Sequence, residues 1–421
     1  MSKINDLIKE MCPNGVPFKK IGDICETITD YVAAGSFKDL ANNVKYLQEP
    51  DYAMLIRTTD IKNKFKGDKF IYINESAFNY LWRVNLDKDS LILPNIGNCG
   101  EIYYLTPDDL PYKRCALATN AILVRSEKIN MKYLKHAFLA NDFQIQLKKI
   151  TSPSGQTKFN KTDLKKLLVP VPPTEVQEEI VRILDKFGEL EAELEAELEA
   201  RKNQYEFWRD QIFKFENRAD VKWLKLSDIK TDIYRGNGIK RDEVTEEGVP
   251  CVRYGEIYTT YNIWFDECKS HTSKDVVSKP KTFTKNDLLF AITGESVEDI
   301  SKTIAYTGNE TCYAGGDIVV MKHNQNGKYL SYALSTRDAI KQKGKGKVKS
   351  KVVHSSVPSI EEIVVPIVSL EEQEEIVRKL DNFYHLVNSL EYGLPAEIEL
   401  RKQQYEYYRN KLLSFEEYVN E

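Results

Sequence analysis

Alternating lysines are the side chains in this sequence whose spacing most directly suggests chemistry. In the segment KQKGKGKVKSK a lysine occupies every second position, and Gly344 and Gly346 allow another backbone to approach closely. In an extended strand or loop, this period of two would place all six ammonium groups on one side, where they could contact a row of phosphates. A solvated flexible loop is the alternative. The six residues are Lys341, Lys343, Lys345, Lys347, Lys349 and Lys351.

Other polar side chains could hydrogen-bond phosphates or base edges. The segment KKITSPSGQTKFNK in the first half of the chain contributes Gln156 and Lys158. Arg57 and Arg253 each follow an apolar run, and an arginine can bind guanine through two hydrogen bonds. A structural salt bridge is an equally good interpretation of either arginine. The remaining candidates are Arg235, in RGNGIK, and Tyr254, in VRYGE.

Motifs that would support catalysis are missing from the sequence. We find no phosphate loop GxxxxGK[ST], no dinucleotide fingerprint, and no Asn or Asp followed by Pro-Pro and an aromatic residue. The five histidines lie far apart without metal-ligand spacing, and the seven cysteines never form a CxxC pair. We therefore expect a non-catalytic chain that binds no metal or cofactor itself.

Composition and targeting signals indicate a folded cytoplasmic protein. Of the 421 residues, 42% are hydrophobic and 29% are charged, as in ordinary folded domains. No uncharged apolar stretch reaches the length of about 18 residues that a membrane span requires. The N-terminal segment predicts a short amphipathic helix rather than an export signal, and the scattered cysteines suit a reducing compartment.

The net charge of -4 conceals a segregation along the chain. Residues 174–200 contain ten acids and two bases, and residues 370–400 contain eight acids and two bases. These windows carry -8 and -6, so the rest of the chain carries +10. Basic regions that alternate with acidic segments are typical of phosphate-binding domains joined by an acidic scaffold.

An internal duplication organises the chain. LVPVPPTEVQEEIVRILDKF, from Leu168, matches VVPIVSLEEQEEIVRKLDNF, from Val364, at an offset of 196 residues. Further on, RKNQYEFWRD, from Arg201, matches RKQQYEYYRN, from Arg401, at an offset of 200. The second copy has therefore gained four residues between these two segments.

Each copy predicts a long helix with a heptad seam. Apolar residues recur at alternating steps of three and four, and the acidic first turns suit the positive end of a helix dipole. The four extra residues of the second copy make a stutter, and Gly393 and Pro395 at that point predict a kinked or interrupted helix. A helical hairpin is the simplest interpretation, but two matched helices could instead pair with each other. About 40 residues at about 1.5 Å each would form a spacer near 60 Å long.

The regions before the two helices share short, weakly similar segments in the same order. LIRTTDI matches CVRYGEI, DSLILPNIG matches NDLLFAITG, and CALATNAILVR matches CYAGGDIVVMK. Short β-branched runs predict strands, followed by one helix over residues 133–147 and another over residues 329–341. We therefore predict an α+β protein with two recognition domains at residues 1–168 and 219–362. Helical spacers at residues 169–218 and 363–421 would form an antiparallel coiled coil in a pseudo-two-fold arrangement.

The paired helical segments, and the domain openings such as WLKLSDI with VPCVRYGEI, resemble those of type I restriction-modification specificity subunits. The resemblance extends over essentially the whole chain. It implies a bipartite double-stranded DNA target, with one half read by each domain. It also implies docking of two modification subunits, which bind S-adenosylmethionine and methylate adenine, and of restriction subunits driven by ATP with Mg²⁺. Repeat aromatics become candidate partner contacts, namely Tyr205, Trp208, Tyr405 and Tyr408.

Two other functional classes compete with this interpretation. A purely structural coiled-coil adaptor would explain the seams but not the +10 charge outside the acidic windows. A fused single-chain restriction enzyme would explain the resemblance but requires catalytic motifs, which the sequence lacks. The sequence does not identify the bases that are read.

Overall fold

A computed structural model describes residues 2–152, 155–276, 279–297, 299–345, 352–389 and 393–418. The chain divides into two compact units. Unit 1 comprises Met1–Glu193 together with Ile398–Glu421, and unit 2 comprises Leu194–Glu397. Each unit thus contains one predicted recognition domain and a part of each predicted helical segment. The four predicted domain boundaries remain predictions.

The first half of the chain alternates short strands with short helices before one long helix. Its elements are α1 (Ser2–Met11), β1 (Phe18–Lys20), α2 (Ile21–Ile24), β2 (Thr27–Asp30), α3 (Phe37–Asn43), β3 (Ala53–Ile56), α4 (Thr58–Lys62), β4 (Ile71–Ile73), α5 (Glu75–Tyr80), β5 (Ser90–Pro94), β6 (Tyr103–Leu105), β7 (Cys115–Leu117), β8 (Ala121–Arg125), α6 (Met131–Leu139), α7 (Asn141–Ile150), α8 (Lys161–Leu164), β9 (Leu168–Pro170) and α9 (Thr174–Ile212).

The second half repeats this order with additional strands. Its elements are β10 (Lys222–Lys225), α10 (Leu226–Ile229), β11 (Lys230–Arg235), β12 (Val244–Thr245), β13 (Val249–Val252), α11 (Tyr254–Thr259), β14 (Trp264–Phe265), β15 (Ser270–Thr272), β16 (Thr282–Phe283), β17 (Leu288–Ala291), β18 (Thr293–Gly294), β19 (Thr303–Tyr306), β20 (Cys312–Ala314), β21 (Ile318–His323), α12 (Gly327–Leu334), α13 (Arg337–Gly344), β22 (Val353–His354), α14 (Val357–Glu361), β23 (Val364–Ile367), α15 (Leu370–Asn388) and α16 (Leu394–Leu413).

Two sheets form the centre of each unit. In unit 1 the strand orders are β2-β8-β5-β6 and β4-β3-β7, and in unit 2 they are β11-β21-β17-β19-β14 and β12-β15-β13-β20-β16. A small ribbon, β1-β9 or β10-β23, leads into each helical repeat. Of the additional strands of unit 2, β12, β14 and β16 lie at edges of these sheets, and β18 and β22 form a separate ribbon. The predicted mixed α+β domains are therefore confirmed.

The helical repeats differ in the way that the sequence predicts. The first copy is one uninterrupted helix, α9, of 39 residues. The second copy is two helices, since α15 ends at Asn388 and α16 begins at Leu394, with Pro395 in its first turn. Within unit 1, Phe187 stacks on Tyr408 at 5.3 Å and Glu191 pairs with Lys402 at 3.6 Å. These contacts show that the α9 and α16 segments of unit 1 run antiparallel.

The prediction of a single helix at the end of each domain is wrong, because each domain ends in two helices. In unit 1 the helix breaks at Ala140, between α6 and α7, and in unit 2 Thr336 separates α12 from α13. The Thr336 hydroxyl accepts a hydrogen bond from the Ala339 backbone N–H, so it caps α13. Apolar periodicity continues across these breaks and therefore did not reveal them.

Equivalent hydrogen bonds attach each domain to its own helical segment. The Gln177 side chain accepts from the Asn130 backbone N–H at 3.0 Å, and Gln373 accepts from that of Asn326 at 2.9 Å. Tyr133 donates to the Pro170 carbonyl oxygen at 3.1 Å, as Tyr329 does to that of Pro366 at 2.9 Å. All four tyrosine and glutamine side chains are buried, so these bonds replace water and fix the helix against the domain.

Candidate nucleic-acid interface

Arg57 is held by a buried carboxylate. It lies at the start of α4, where its Nε donates to Asp60 Oδ2 at 2.9 Å and its Nη2 to Asp60 Oδ1 at 2.6 Å. Nη2 also donates to the Lys69 carbonyl oxygen at 2.7 Å. The hydrogen bonds to Asp60 raise the pKa of Arg57. This geometry favours the structural salt bridge over the base contact for Arg57.

Arg253 occupies the equivalent position in unit 2 without such a partner. Its acidic neighbour, Glu256, accepts instead from the Arg253 backbone N–H at 2.7 Å and from the Ser270 hydroxyl at 2.5 Å. The Arg253 Nε is buried and has no hydrogen-bond partner among the described residues. A buried unpaired donor is rare and carries a cost, and here it shows that Arg253 lacks the carboxylate partner that holds Arg57.

A cavity of about 370 Å³ lies beside Arg253. Arg241 contributes a second cation, and half-exposed Tyr254 contributes an aromatic ring. Glycines form much of the remaining wall, and a Cβ at Gly315 would lie 2.9 Å from the Val252 carbonyl oxygen, so the backbone there packs too closely for a side chain. The glycines of the lining are Gly238, Gly255, Gly315 and Gly316.

Arg235 builds a wall of this cavity rather than facing it. Its Nε donates to the Gly316 carbonyl oxygen and its Nη2 to Asp317 Oδ1, both at 2.5 Å. Both partners line the cavity. Three of the predicted residues, Arg235, Arg253 and Tyr254, thus belong to one site. Arg241 was missed, although its place close after RGNGIK is a signal that could have found it.

Gln156 and Lys158 lie on an exposed loop that is pinned to its own domain. The Gly97 backbone N–H donates to the Thr157 carbonyl oxygen at 2.8 Å, and Ile96 forms a bridge with Lys158. The same connection in unit 2 is the β18–β22 ribbon. Both predicted side chains are exposed and accessible to a ligand.

The row of lysines differs from the expected extended strand. Residues Arg337–Gly344 form α13, so Lys341 and Lys343 lie on a helix, and Lys343 is buried with its Nζ 3.0 Å from Thr303 Oγ1. A buried ammonium cannot reach a phosphate, and Lys343 is therefore assigned to the core. Lys341 and Lys345 are exposed. Lys347, Lys349 and Lys351 lie outside the described residues.

The predicted partner aromatics divide into buried and exposed side chains. Tyr205 is buried in the core of unit 2, so it is not available for partner contact. Tyr405 lies 3.0 Å from His136 Nδ1, and Tyr408 is stacked on Phe187, so both are partly used within unit 1. Trp208 is exposed. The heptad seam selected these positions, and seam positions face inward.

Two further exposed aromatics precede the seam positions. Phe207 is 53% exposed and its repeat equivalent, Tyr407, is 59% exposed. An exposed aromatic side chain at the same position of both repeats is typical of a protein contact surface. Their location one residue before the seam was the signal in the sequence.

Buried His136 pairs with partly exposed Asp185 where α6 meets α9. His136 Nε2 lies 3.0 Å from Asp185 Oδ1, and Lys132 donates to Asp185 Oδ2 at 2.9 Å. The hydrogen bond to His136 lowers the pKa of Asp185 to about 2, and burial lowers that of His136. A neutral imidazole that donates through Nε2–H and accepts from Tyr405 satisfies every partner. This junction stabilises unit 1 and offers no substrate-binding nucleophile.

The part of the chain that the structure describes contains neither a metal-binding cluster nor a membrane-spanning helix. No group of three or more His, Cys, Asp or Glu side chains there could hold a metal ion. No helix there is both long enough and apolar enough to cross a bilayer.

Comparison with known proteins identifies the family. The model of the type I restriction modification DNA specificity domain matches residues 13–200 and, a second time, residues 219–400. The chain belongs to the type I DNA specificity family. Both matches begin near a domain opening and end within a helical repeat, so the family unit combines a recognition domain with a helical segment.

Relatives of the family support this assignment. The specificity subunit of the type I restriction enzyme EcoR124I/EcoR124II from Escherichia coli is 31% identical over 260 residues, which cover 60% of this chain. The match spans 63% of that relative, just under two thirds of its length. A putative type I specificity subunit from Haemophilus influenzae is 28% identical over 301 residues, covering 69% of this chain and 73% of the relative.

A solved structure shows the same fold. A chain from a study of complex assembly and conformational transition in the type I R-M system aligns with a TM-score of 0.63 at 14% identity. The alignment covers 95% of this chain and 98% of that chain. At this identity the likeness establishes the fold alone.

Proposed function

We propose that this chain is the subunit that selects the DNA sequence for a type I restriction-modification complex. The observation that carries the proposal is the match of two specificity domains within one chain. The two domains differ at equivalent positions, since Arg57 is salt-bridged and Arg253 is not. Different surfaces on one scaffold suit a bipartite target with one half read by each domain.

Partner subunits would supply the chemistry. We propose that two modification subunits, which bind S-adenosylmethionine, dock on the helical repeats, and that restriction subunits using ATP and Mg²⁺ join them. The duplicated aromatics Phe207 and Tyr407, with Trp208, are the exposed apolar side chains best suited to this docking. The chain itself would be non-catalytic, in keeping with the motifs that its sequence lacks.

Domain exchange tests the proposal. Replacing residues 219–362 with those of another family member should change one half of the DNA target and leave the other half intact. Expression with the modification subunits, followed by sequencing of methylated adenines in the genome, would measure both halves at once. The reason is that base contacts lie within each domain, whereas the spacing depends on the helices.

The matched control exchanges residues 16–168, which should change the other half only. If either exchange altered both halves, reading by separate domains would be refuted. Methylation by the purified chain alone would likewise refute a non-catalytic role.

A further inference from the structure

A cleft of about 900 Å³ lies within unit 1, between a sheet edge and two helices. The cleft is lined by β6, the last strand of its sheet, by α6 and by the first part of α9. Ile61 near the end of α4, Lys64 and Phe65 just after that helix, and Tyr405 of α16 also contribute to the lining. Three pairs of lining residues have counterparts that contact β14 or its neighbours in unit 2, namely Tyr104 and Thr106, Lys132 and Lys135, and Gly188 and Glu189. In the described part of unit 1, no strand pairs with β6 on the side away from β5.

Unit 2 has a strand at the equivalent place. Strand β6 pairs with β5 as β19 pairs with β17, which makes Tyr104 the counterpart of Ala305. In unit 2, β14 adds to β19 in parallel, with Trp264 opposite Ala305. The connection that carries β14 has twelve residues, 258–269, whereas its counterpart, residues 62–70, has nine and forms no such strand.

Backbone hydrogen bonds hold this segment in unit 2. The Ala305 N–H donates to the Ile263 carbonyl oxygen at 3.0 Å, and the Ser331 hydroxyl donates to the same oxygen at 2.5 Å. The Thr307 N–H donates to the Phe265 carbonyl oxygen at 2.8 Å. In unit 1, Asp109 accepts from the equivalent Thr106 N–H at 2.7 Å, which leaves Tyr104 as the edge residue open to an added strand.

The Trp264 side chain fills the space that is a cleft in unit 1. The Lys328 ammonium lies 3.7 Å from the centre of the indole ring. The Tyr384 and His385 rings pack on it with centroids 6.3 and 5.9 Å away. By the repeat offset, the counterparts of Tyr384 and His385 are Gly188 and Glu189. A Cβ built on Gly188 meets nothing within 4 Å, so the aromatic wall is missing from unit 1.

Two lysines of the cleft lie at positions that contact β14 in unit 2. Lys132 binds Asp185 as Lys328 binds Asp381, so its ammonium occupies the position that lies on the indole face in unit 2. Lys135, the counterpart of Ser331, provides a donor where a strand carbonyl is bound in unit 2. One cation is therefore placed for an aromatic ring and the other for a peptide carbonyl.

We infer that this cleft is a docking site for an extended segment of another protein, which adds a strand to β6 and inserts an aromatic side chain beside Lys132. Strand addition supplies backbone hydrogen bonds, and the cleft supplies specificity for the ring. The inference does not depend on the DNA-reading role, because it rests on contacts that unit 2 makes within itself.

A peptide of this chain provides the probe. The capped peptide YNIWFDE, residues 261–267, should bind the full-length protein with one-to-one stoichiometry in calorimetry. Gly188→Trp should weaken that binding about tenfold or more, because the new indole fills the cleft. The protein should remain folded, since removing glycine from a helix interior favours the helix.

Matched controls separate the outcomes. Gly188→Ala keeps the cleft open and should bind as the parent does, whereas the peptide with serine in place of tryptophan should lose about tenfold or more. Failure of the parent protein to bind, or binding that persists in Gly188→Trp, would overturn the inference. It would also be overturned if a single-stranded oligonucleotide occupied the cleft and the peptide did not. The domain exchange described above tests DNA reading without involving this cleft. The proposed DNA-reading function and the proposed docking site can therefore each be refuted without refuting the other.

Discussion

Helices α7 and α13 perform the same structural task in the two units with different chemistry. In unit 1 the Gln146 side chain forms two hydrogen bonds with the Leu168 backbone, and in unit 2 Gln342 does the same with Val364. One residue later the helices diverge, because the buried side chain is Leu147 in unit 1 and Lys343 in unit 2.

The residue that faces this side chain also changes from apolar in unit 1 to polar in unit 2. Lys343 donates to the hydroxyl of Thr303, whose counterpart in unit 1 is Ile102, a member of the same apolar cluster as Leu147. Burial lowers the pKa of Lys343 to about 7, since no carboxylate among the described residues neutralises its ammonium. The same fold thus contains an apolar pair in unit 1 and a polar pair at the equivalent site of unit 2, and the polar pair is the less stabilising of the two.

The largest expected effect follows from giving unit 2 the apolar residue. Lys343→Leu should stabilise unit 2 at pH 7 by about 3 to 5 kcal/mol, because folding then no longer desolvates an ammonium. In the parent protein the penalty is full below pH 7 and falls as the pH rises from about 7 towards 10.5, where the unfolded chain also loses the proton. Urea unfolding between pH 7 and 10 should show this dependence in the parent and not in the variant.

The reverse exchange in unit 1 is the matched control. Leu147→Lys should destabilise unit 1 by a similar amount and should accelerate hydrogen exchange in α7. Stability that falls in Lys343→Leu, or that is unchanged, would show that the lysine is hydrated or paired in solution.

The two equivalent arginines sharpen the comparison at the proposed DNA-reading surface. Arg57→Ala should cost about 1 to 2 kcal/mol of stability after allowance for solvent screening, because Asp60 is left buried without its partner. Arg253→Ala should leave stability nearly unchanged but reduce discrimination at one base pair by about 1 to 3 kcal/mol. Thermal unfolding and sequencing of methylated adenines would measure the two effects.

A phosphate contact would produce a different result for Arg253. Removing it would weaken binding to all sequences alike and make the salt dependence shallower by about one unit of slope. That outcome, or a change of target caused by Arg57→Ala, would contradict the distinction drawn between the two arginines.

The repeat made much of the fold predictable. The offsets of 196 and 200 residues located both helical segments, and Pro395 with Gly393 predicted the interruption that separates α15 from α16. Matched β-branched runs likewise located the paired central strands, β5 with β17 and β8 with β21. These features depend on local patterns, which a single sequence displays directly.

Features that depend on tertiary contacts were not predictable. The regular spacing of the lysines indicated a phosphate-binding row that included Lys343. The side chain of Lys343 is buried because of the way that α13 packs against the rest of unit 2, which the sequence does not display. Arg57 and Arg253 occupy matching motifs, and only the conformation of Asp60 or Glu256 shows which guanidinium is engaged. The cleft beside Gly188 arises from a strand that one unit lacks, and residues far apart in sequence define it.

The smallest expected effect concerns acid stability where α6 meets α9. His136 in unit 1 and Tyr332 in unit 2 both bind the equivalent aspartate, Asp185 or Asp381. Burial lowers the pKa of His136 below that of the unfolded chain, so its contribution to stability is present above about pH 6.5 and is lost as the pH falls. His136→Tyr should therefore reduce the acid sensitivity of unit 1, by less than any of the effects above.

Hydrogen exchange of α6 at pH 7 and pH 5 would measure this difference against α12. Lys135 and Arg409 oppose protonation of the imidazole, whereas Asp185 favours it. Because the aspartate is also held by Lys132, the tyrosine variant should remain folded at both pH values. If α6 exchanged faster at pH 5 to the same extent in parent and variant, the acid sensitivity would not arise from His136.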